Sequence, residues 1–275
     1  MKIFVSVAIS IFLVITFSDT ALAVPFLHDY WPSNNTFISG GIRTFSVNIT
    51  DDNLNSSATL LHIISLTAYQ QRENWDVHTL TCTGSPNEWN CSKNISFAIA
   101  GSDTVELFYF GGNDTDGVTG NNGTATNPLR FTLDRNPPAI SFSNPANNSY
   151  VNGNETISVT VTDASSGVNN NTVQYSTDNS LWTTLKNVTA TSFENTWTTT
   201  TFSNNQSLLL YARASDNVGN NLTTNINITV DNEIPELKII SPSSTALSGN
   251  IQMEINVSDH YSGLDLTNIS YSIGT

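Results

Sequence analysis

Apolar and polar residues alternate with a period of two along several stretches of this chain. Ile157, Val159 and Val161 alternate with serine and threonine, and residues 207–214 alternate in the same way. This period predicts strands with one buried and one solvated face. Clusters of Gly, Asn and Asp separate these stretches, as turns require. No long stretch has the 3.6-residue period of an amphipathic helix, so the pattern predicts an all-β protein.

The same alternation predicts which side chains fill the core between residues 134 and 232. One face of residues 207–214 carries Leu208, Leu210, Ala212 and Ala214, and residues 223–230 predict the last strand. Large aromatic side chains contribute the most buried area, so Trp182 and Trp197 are expected in this core.

The strand pattern repeats together with a linker motif. The segment Asp134-Arg-Asn-Pro-Pro138 precedes Pro145 and a strand that ends at Asp163, and the segment Asp231-Asn-Glu-Ile-Pro235 precedes Pro242 and a strand that ends at Asp259. The two prolines are 97 positions apart (242 − 145), about the length of one antiparallel sandwich domain. Repetition of this kind predicts an array of like modules.

The repeat divides the chain into modules at 24–135, 136–232 and 233–275. Pro32 corresponds to Pro145 but lies 113 positions before it, so the first module carries about 16 extra residues (113 − 97). These are expected around residues 69–91. The third repeat stops partway at Thr275, so we expect that it is truncated and that the chain is a fragment of a longer protein.

Three motifs together resemble a known family. They are the run Tyr211-Ala-Arg-Ala-Ser-Asp-Asn-Val-Gly-Asn220, the linker from Asp231 to Pro235, and Asp163-Ala-Ser-Ser-Gly167. They resemble the bacterial and archaeal immunoglobulin-like (Big-type) repeats of secreted cell-surface proteins. The likeness is good over 134–233, partial over 234–275 and weaker over 24–133. It implies tandem immunoglobulin-like or fibronectin type III-like β-sandwiches that serve as a stalk, spacer or adhesion module, and it implies no particular ligand.

The N-terminus has the features of a signal peptide over residues 1–23. Lys2 precedes an apolar stretch, and Ala21-Leu-Ala23 offers a small-residue cleavage site. A retained membrane anchor is the alternative, although the apolar stretch is short for one. No later stretch approaches the roughly 20 apolar residues of a spanning helix. Residues 24–275 are therefore predicted to be secreted or at the cell surface, without membrane insertion.

The charge balance narrows the classes of partner. The chain has nine Lys and Arg residues and 23 Asp and Glu residues, which gives a net charge of −14. Such a chain lacks the basic stripe that neutralises phosphates, so the charge argues against nucleic acid and against docking on anionic lipid. Acidic surfaces can instead hold divalent cations.

Cys82 and Cys91 are the only cysteines, and they flank a stretch rich in turn-forming residues. In a secreted chain, two thiols placed in this way predict a hairpin disulfide. A zinc site would need further cysteine or histidine ligands nearby, and the sequence does not supply them.

Three aspartates are predicted to meet at one end of the second module. Asp163 ends a strand, Asp216 begins the loop after a later strand, and Asp134 lies in the incoming linker. In an immunoglobulin topology these three segments share one end of the sandwich. Asp231 and Asp259 repeat two of the three positions at the next linker, and the third is expected beyond Thr275. The corresponding end of the first module carries Asp51, Asp52, Asp114 and Asp116.

Two interpretations of these aspartates stay open. Crowded carboxylates repel one another, and a hard cation such as Ca²⁺, with six to eight oxygen ligands, would relieve the repulsion and stiffen the linker. Alternatively, each carboxylate accepts hydrogen bonds from the backbone of its own loop, without any metal.

Asn-x-Ser/Thr sequons recur along the chain, and those on turns, such as Asn122 and Asn147, are candidate glycosylation sites. The alternative is that asparagine and threonine simply suit turns and the outer faces of strands.

Enzyme signatures are absent from the sequence, including zinc-protease, serine-hydrolase, phosphate-loop and dinucleotide motifs. The sequence therefore predicts a non-catalytic stalk, spacer or adhesion region, with neighbouring modules and a surface glycan or protein as partners. The alternative is an accessory region of a secreted hydrolase whose catalytic domain lies elsewhere. A carbohydrate-binding module, with Trp75 and Trp89 as its stacking face, is a further alternative.

Overall fold

Two compact units make up the computed structural model, which describes residues 24–71, 73–85, 87–243 and 248–272. The first unit comprises the described residues up to Thr36, together with Ile42–Ser96 and Val105–Phe131. The second comprises Phe37–Gly41, Phe97–Thr104 and the described residues from Thr132 onward. The predicted signal peptide lies outside the described residues.

The first ten strands form two mostly antiparallel sheets. The strands are β1 (Phe26–Trp31), β2 (Thr36–Ser39), β3 (Gly41–Thr50), β4 (Leu60–Ser65), β5 (Asp76–Thr79), β6 (Thr81–Ser85), β7 (Glu88–Phe97), β8 (Thr104–Asn113), β9 (Thr119–Asn122) and β10 (Leu129–Asp134). One sheet has the order β1-β3-β7-β6, and the other has the order β2-β10-β8-β4-β5 with β9 paired to β8. A five-residue helix, α1 (Leu66–Gln70), follows β4.

The next nine strands repeat this arrangement. They are β11 (Ala139–Asn144), β12 (Ser149–Val151), β13 (Asn154–Thr162), β14 (Gln174–Ser176), β15 (Thr183–Thr184), β16 (Lys186–Asn187), β17 (Ser192–Thr198), β18 (Gln206–Ser215) and β19 (Asn221–Val230). The sheets have the orders β11-β13-β17-β16 and β12-β19-β18-β14-β15. Two further strands, β20 (Glu236–Ser241) and β21 (Glu254–Ser258), pair with each other. The predicted class, tandem immunoglobulin-like β-sandwiches, is confirmed.

The same local structures recur in all three repeats. Short 3-10 helices span Ser56–Ala58, Asn170–Thr172 and Leu266–Asn268. In each case the preceding Asn or Asp side chain accepts a hydrogen bond from the backbone two residues later. The peptide bonds before Pro32, Pro145 and Pro242 are all cis. Backbone geometry therefore repeats where the sequence motif repeats.

Alternation along β13 and β18 builds the core of the second sandwich. Ile157, Val159 and Val161 are fully buried, as are Leu210 and Ala212 on the opposing sheet. Neighbouring polar residues of β13 point outward, because successive side chains of a strand lie on opposite faces. The core positions predicted from the two-residue period are therefore found.

The prediction for Trp182 is wrong, whereas Trp197 lies in the core as expected. Trp182 precedes β15 and is half-buried outside the core, with the guanidinium carbon of Arg213 4.1 Å from its ring centroid. Tyr175 and Phe193 supply aromatic volume to the core instead. A cation–π contact stabilises an aromatic ring at the surface, so a large ring need not be buried.

The extra length of the first module lies in two places. From Asn55 to Asp114 the chain runs 59 positions, against 47 from Asn169 to Asp216, and this difference of 12 includes α1 and the adjoining loop. A further five positions lie after Asp114, where strand β9 forms a hairpin with β8. The segment around residues 69–91 therefore accounts for only part of the insertion.

A disulfide joins Cys82 and Cys91 across paired strands. The two residues lie directly opposite each other in the β6–β7 hairpin, and their sulfur atoms are bonded. Cys91 is fully buried. Hairpin pairing thus brings the two cysteines together without help from distant segments.

Replacing both cysteines with alanine is expected to lower the free energy of unfolding by about 2.5 kcal/mol, because a ring of roughly ten residues no longer restricts the unfolded chain. Urea unfolding followed by circular dichroism measures the change. Wild-type protein treated with a phosphine reductant is the control and should show the same loss. Equal stabilities of the variant and the oxidised wild type would contradict the expectation.

Candidate functional site

Three carboxylates converge in the second unit. Asp134 is the last residue of β10, Asp163 directly follows β13, and Asp216 directly follows β18. One oxygen of each lies within 4.8 Å of the others. The structure therefore brings together the three aspartates for which the sequence predicted a common location.

Asp216 is the most firmly held of the three. Its Oδ1 accepts hydrogen bonds from the backbone N–H groups of Val218, Gly219 and Asn220 at 2.7–2.9 Å. Its Oδ2 accepts a bond from the Asn220 side chain at 2.7 Å. Only 1% of Asp216 is exposed. Its carboxylate is thus fixed in place by its own loop.

The other two carboxylates are oriented by the loop after β13. Backbone N–H groups of Ser165 and Gly167 both donate to Oδ1 of Asp163, so its Oδ2 keeps its lone pairs for another ligand. Asp134 is fully buried, and its Oδ2 accepts from the backbone N–H of Ser166 at 3.1 Å. The linker residue is therefore bonded to the loop that carries Asp163.

The cluster concentrates negative charge in a buried place. Burial raises the pKa of Asp216, and the neighbouring Asp134 adds to the rise, while hydrogen bonds from the Asn220 side chain and the loop backbone oppose it. Among the described residues, no Lys, Arg or His forms an ion pair with these three carboxylates. The Ser166 hydroxyl oxygen is buried without a hydrogen-bond partner.

The donor set fits a hard divalent cation. Two oxygens that share one Ca²⁺, at about 2.4 Å each, lie at most about 5 Å apart, and the three carboxylates satisfy that limit at 4.8 Å. Backbone hydrogen bonds also fit the metal-free interpretation, because each aspartate closes a turn in its own loop. The two interpretations are compatible, since the turns occupy some oxygen lone pairs and leave others available.

Asp103 makes contacts at the linker that the sequence pattern does not predict. Its Oδ1 accepts from the Arg135 backbone N–H at 2.8 Å and from the Asn136 side chain at 2.8 Å, and its Oδ2 accepts from the Ser165 hydroxyl. Burial pushes the pKa of Asp103 upward, but bonds from Arg135, Ser165 and Asn136 outweigh that effect and lower it. Asp103 thus ties the linker to the loop after β13. Its sequence surroundings carry no motif that would reveal this contact.

The next linker repeats the arrangement around Asp231 and Asp259. Oδ2 of Asp231 accepts from the Ser262 backbone N–H at 3.0 Å, and Oδ1 of Asp259 accepts from Tyr261 and Gly263. The Asn232 backbone N–H donates to the side chain of Asn204. Asn204 therefore accepts from the residue after the linker aspartate, as Asp103 accepts from Arg135.

The first unit has a related acidic end. Oδ1 of Asp51 accepts from the Asn53 backbone N–H, while its Oδ2 is buried without a partner. Burial raises the pKa of Asp51, and Asp114, Asp52 and Asp116 add to the rise, against the hydrogen bond from Asn53. Oδ1 of Asp114 accepts from the backbone N–H of Val118. Among the described residues, however, only Asp134, Asp163 and Asp216 form a set close enough for one metal ion.

Other predicted site residues lie in varied surroundings. Asn147 is exposed on a turn, whereas the Asn122 side-chain nitrogen donates to the Leu27 carbonyl at 3.4 Å. Glycosylation at either position stays a prediction. Trp75 and Trp89 do not form one stacking face, because Trp89 lies on β7 and Trp75 precedes β5 in the other sheet.

A comparison with protein families finds a match within the second sandwich. Residues 138–212 match the bacterial Ig domain family. This match confirms the resemblance noted from the sequence over that part of the chain. The match supports an immunoglobulin-like repeat over residues 138–212. No curated protein matches the chain.

Several solved structures are also similar to this chain. The I-band fragment I67–I69 from titin is 12% identical, with 84% of this chain and 83% of that chain covered and a TM-score of 0.42. An E-to-A variant of the same titin domains is 10% identical, with 90% and 92% covered and a TM-score of 0.40. Dimeric latent PorU from Porphyromonas gingivalis is 12% identical, with 78% and 24% covered and a TM-score of 0.29. The fold assignment rests on the strand pairings described above. The described residues contain no helix with the length and apolarity needed to cross a membrane.

Proposed function

We propose that this chain is an extracellular stalk or spacer with an adhesive role, built from bacterial Ig-type modules whose linkers are held in a fixed geometry. The repeated hydrogen bonding of the two linkers carries this proposal. At both linkers, an aspartate accepts a backbone N–H from the following loop, and the next residue donates its N–H to a side chain of an earlier loop. A tether that needed only flexibility would not require such bonds.

The function follows from the way each linker is restrained. Asp103 and Asn204 hold the N–H groups of Arg135 and Asn232, so the linker backbone is bonded before it enters the next sandwich. Pro138 and Pro235 then restrict the backbone, because the proline ring fixes φ. A restrained linker limits bending, and the reach of the array then scales with the number of modules.

Calcium completes this proposal at Asp134, Asp163 and Asp216. The ion would be bound by one or more oxygens from each carboxylate, with water supplying the remaining ligands. It would offset the repulsion among buried carboxylates and connect the linker to two loops of the sandwich. Asp231 and Asp259 offer part of the same set at the next linker.

A membrane-impermeant amine-reactive biotin reagent tests the extracellular placement. Lys93, Lys186 and Lys238 are exposed on three different segments, and all should be labelled on intact cells as fully as in lysates. A cytoplasmic protein of the same cells is the control and should be labelled only after lysis. Labelling of this chain solely in lysates would refute the placement.

A further inference from the structure

Four aromatic rings form a continuous cluster in the first unit. His62 on β4 lies opposite Tyr109 on β8, and their rings stack with centroids 4.2 Å apart. Trp75 meets Tyr109 edge to face at 5.0 Å, and Tyr69 meets Trp75 in the same manner at 5.8 Å. Trp75 and Tyr69 both come from the segment between β4 and β5, which has no counterpart of this length in the second sandwich.

This cluster lies outside the hydrophobic core. Along β8, Phe108 and Phe110 are fully buried, so Tyr109 between them belongs to the outer face. The same argument places His62 outside, between Leu61 and Ile63. All four cluster rings are only half-buried. Ile64 and Leu107, which pair with each other on the same outer face, are buried as well, so the sheet below the rings is partly covered. The half-buried rings add an aromatic surface outside the sandwich core.

An open groove of about 460 Å³ adjoins the cluster, lined by Tyr69, Gln70, Glu73 and Trp75. This volume falls in the range of small-ligand sites, roughly 300–1,000 Å³. Tyr69 is anchored by a hydrogen bond from its hydroxyl to the carbonyl of Ala125 at 3.1 Å. The edge-to-face contacts restrict Trp75 as well. The aromatic walls are thus held in place before any ligand arrives, which lowers the cost of binding.

We propose that this groove binds a neutral glycan, with a pyranose ring packed against Trp75 and Tyr69. One face of a pyranose carries C–H bonds with partial positive charge, and an aromatic face is negative, so the two attract each other. Gln70 and Glu73 are exposed at the groove and offer amide and carboxylate partners to sugar hydroxyls. The Glu73 carboxylate at the groove disfavours an anionic glycan.

This inference gives a ligand class to the adhesive part of the proposed function. It is independent of the calcium ion, because the groove and the aspartate cluster lie in different units. The glycan-binding test and the labelling test can also fail independently of each other. Glycan binding by a chain that is not labelled on intact cells would keep the glycan site and reject the extracellular stalk.

Array screening of the full chain, followed by calorimetric titration, tests the proposal. The probes are hexamers of β-1,4-glucose, β-1,3-glucose, mannose and N-acetylglucosamine, with a sulfated oligosaccharide and a polyproline peptide for comparison. Binding of at least one neutral hexamer is expected, and Trp75→Ala should weaken it about tenfold or more because the aromatic wall is lost. Glu73→Gln, at an exposed position, should weaken it less without affecting folding.

Trp182→Ala is the matched control, because Trp182 is also a half-buried surface tryptophan but lies in the other unit. It should leave glycan affinity unchanged. Melting curves verify that each variant folds. If Trp75→Ala fails to fold, the Glu73→Gln result decides the question. The proposal is overturned if no neutral hexamer binds, if the sulfated sugar or the peptide binds best, or if the groove variants bind as tightly as wild type.

Discussion

Replacing Phe108 with alanine is expected to lower the free energy of unfolding by about 3–5 kcal/mol. Phe108 is fully buried on β8, and its ring centroid lies 5.7–5.9 Å from those of Phe45, Phe110 and Phe131. Removal of the ring costs its own burial and leaves a cavity lined by three rings. Because Phe45 and Phe131 belong to other strands, the cavity weakens packing between segments that are distant in sequence.

Urea unfolding measures this loss, with Ile42→Ala as the control. Ile42 lies on β3 and is 69% exposed, so its truncation should change stability by less than about 0.5 kcal/mol. Phe108→Leu keeps much of the volume and should fall between the two. If Phe108→Ala destabilised no more than Ile42→Ala, the aromatic cluster could not be the centre of this core.

Calcium is expected to stabilise the second unit by about 1.4–2.7 kcal/mol when its free concentration is roughly 10–100 times Kd. Extracellular calcium modules typically have Kd values on the order of 10⁻⁴–10⁻³ M, so free calcium of about 1–100 mM covers this range. The gain arises because the ion offsets repulsion between Asp216 and Asp134 that the folded state alone must bear. Calorimetric melting in calcium and in chelator measures the difference.

Asp216→Asn should abolish most of this calcium response, because a neutral amide is a weaker ligand for a hard cation. Asp178→Asn is the matched control. Asp178 also closes a turn, accepting from Ser180 and Leu181, but it lies outside the aspartate cluster. X-ray scattering of the full chain gives a second readout and should show a stiffer chain in calcium. Equal melting shifts for Asp216→Asn and wild type would rule out this site.

The pH dependence of the free energy of unfolding, compared between wild type and Asp216→Asn, gives an independent check on the burial of Asp216. Because burial raises the pKa of Asp216 in the folded state, the native protein retains this proton after the unfolded chain has lost it near pH 3.8. In chelator, the contribution of Asp216 to stability should therefore fall as pH rises from 3.8 through its folded pKa. The difference between wild type and Asp216→Asn isolates this contribution from carboxylates with lowered pKa, such as Asp103 and Asp231. Calcium binds the ionised carboxylate of Asp216. In calcium, the contribution of Asp216 to stability should therefore rise with pH instead of falling.

Local patterns carried enough information for much of the fold. The alternation around Ile157 and Leu210 identified buried faces, since side-chain direction in a strand depends only on residue parity. The linker motif placed Asp134 near Asp163 and Asp216, because strand order determines which loops share an end of a sandwich. Cys82 and Cys91 needed only a hairpin between them.

Contacts between segments with no shared pattern could not be predicted in this way. The bonds from Asp103 to Ser165 and Asn136 depend on how a loop approaches the linker in space, and no residue period encodes that approach. Trp182 shows the same limit, because its place under Arg213 arises from a neighbouring strand. Trp75 and Trp89 look equivalent in sequence but belong to different sheets.

The sequence by itself determined the β class, the repeat, the buried strand faces and the positions where aspartates accumulate. These depend on residue parity and on chain order, which are both written in one dimension. Only the tertiary structure decided that Asp103 and Asn204 restrain the linkers, and that Trp75 joins Tyr69 and Tyr109 beside a groove. Those arrangements arise from packing between distant segments, where shape and hydrogen-bond geometry select one contact among many that the sequence allows.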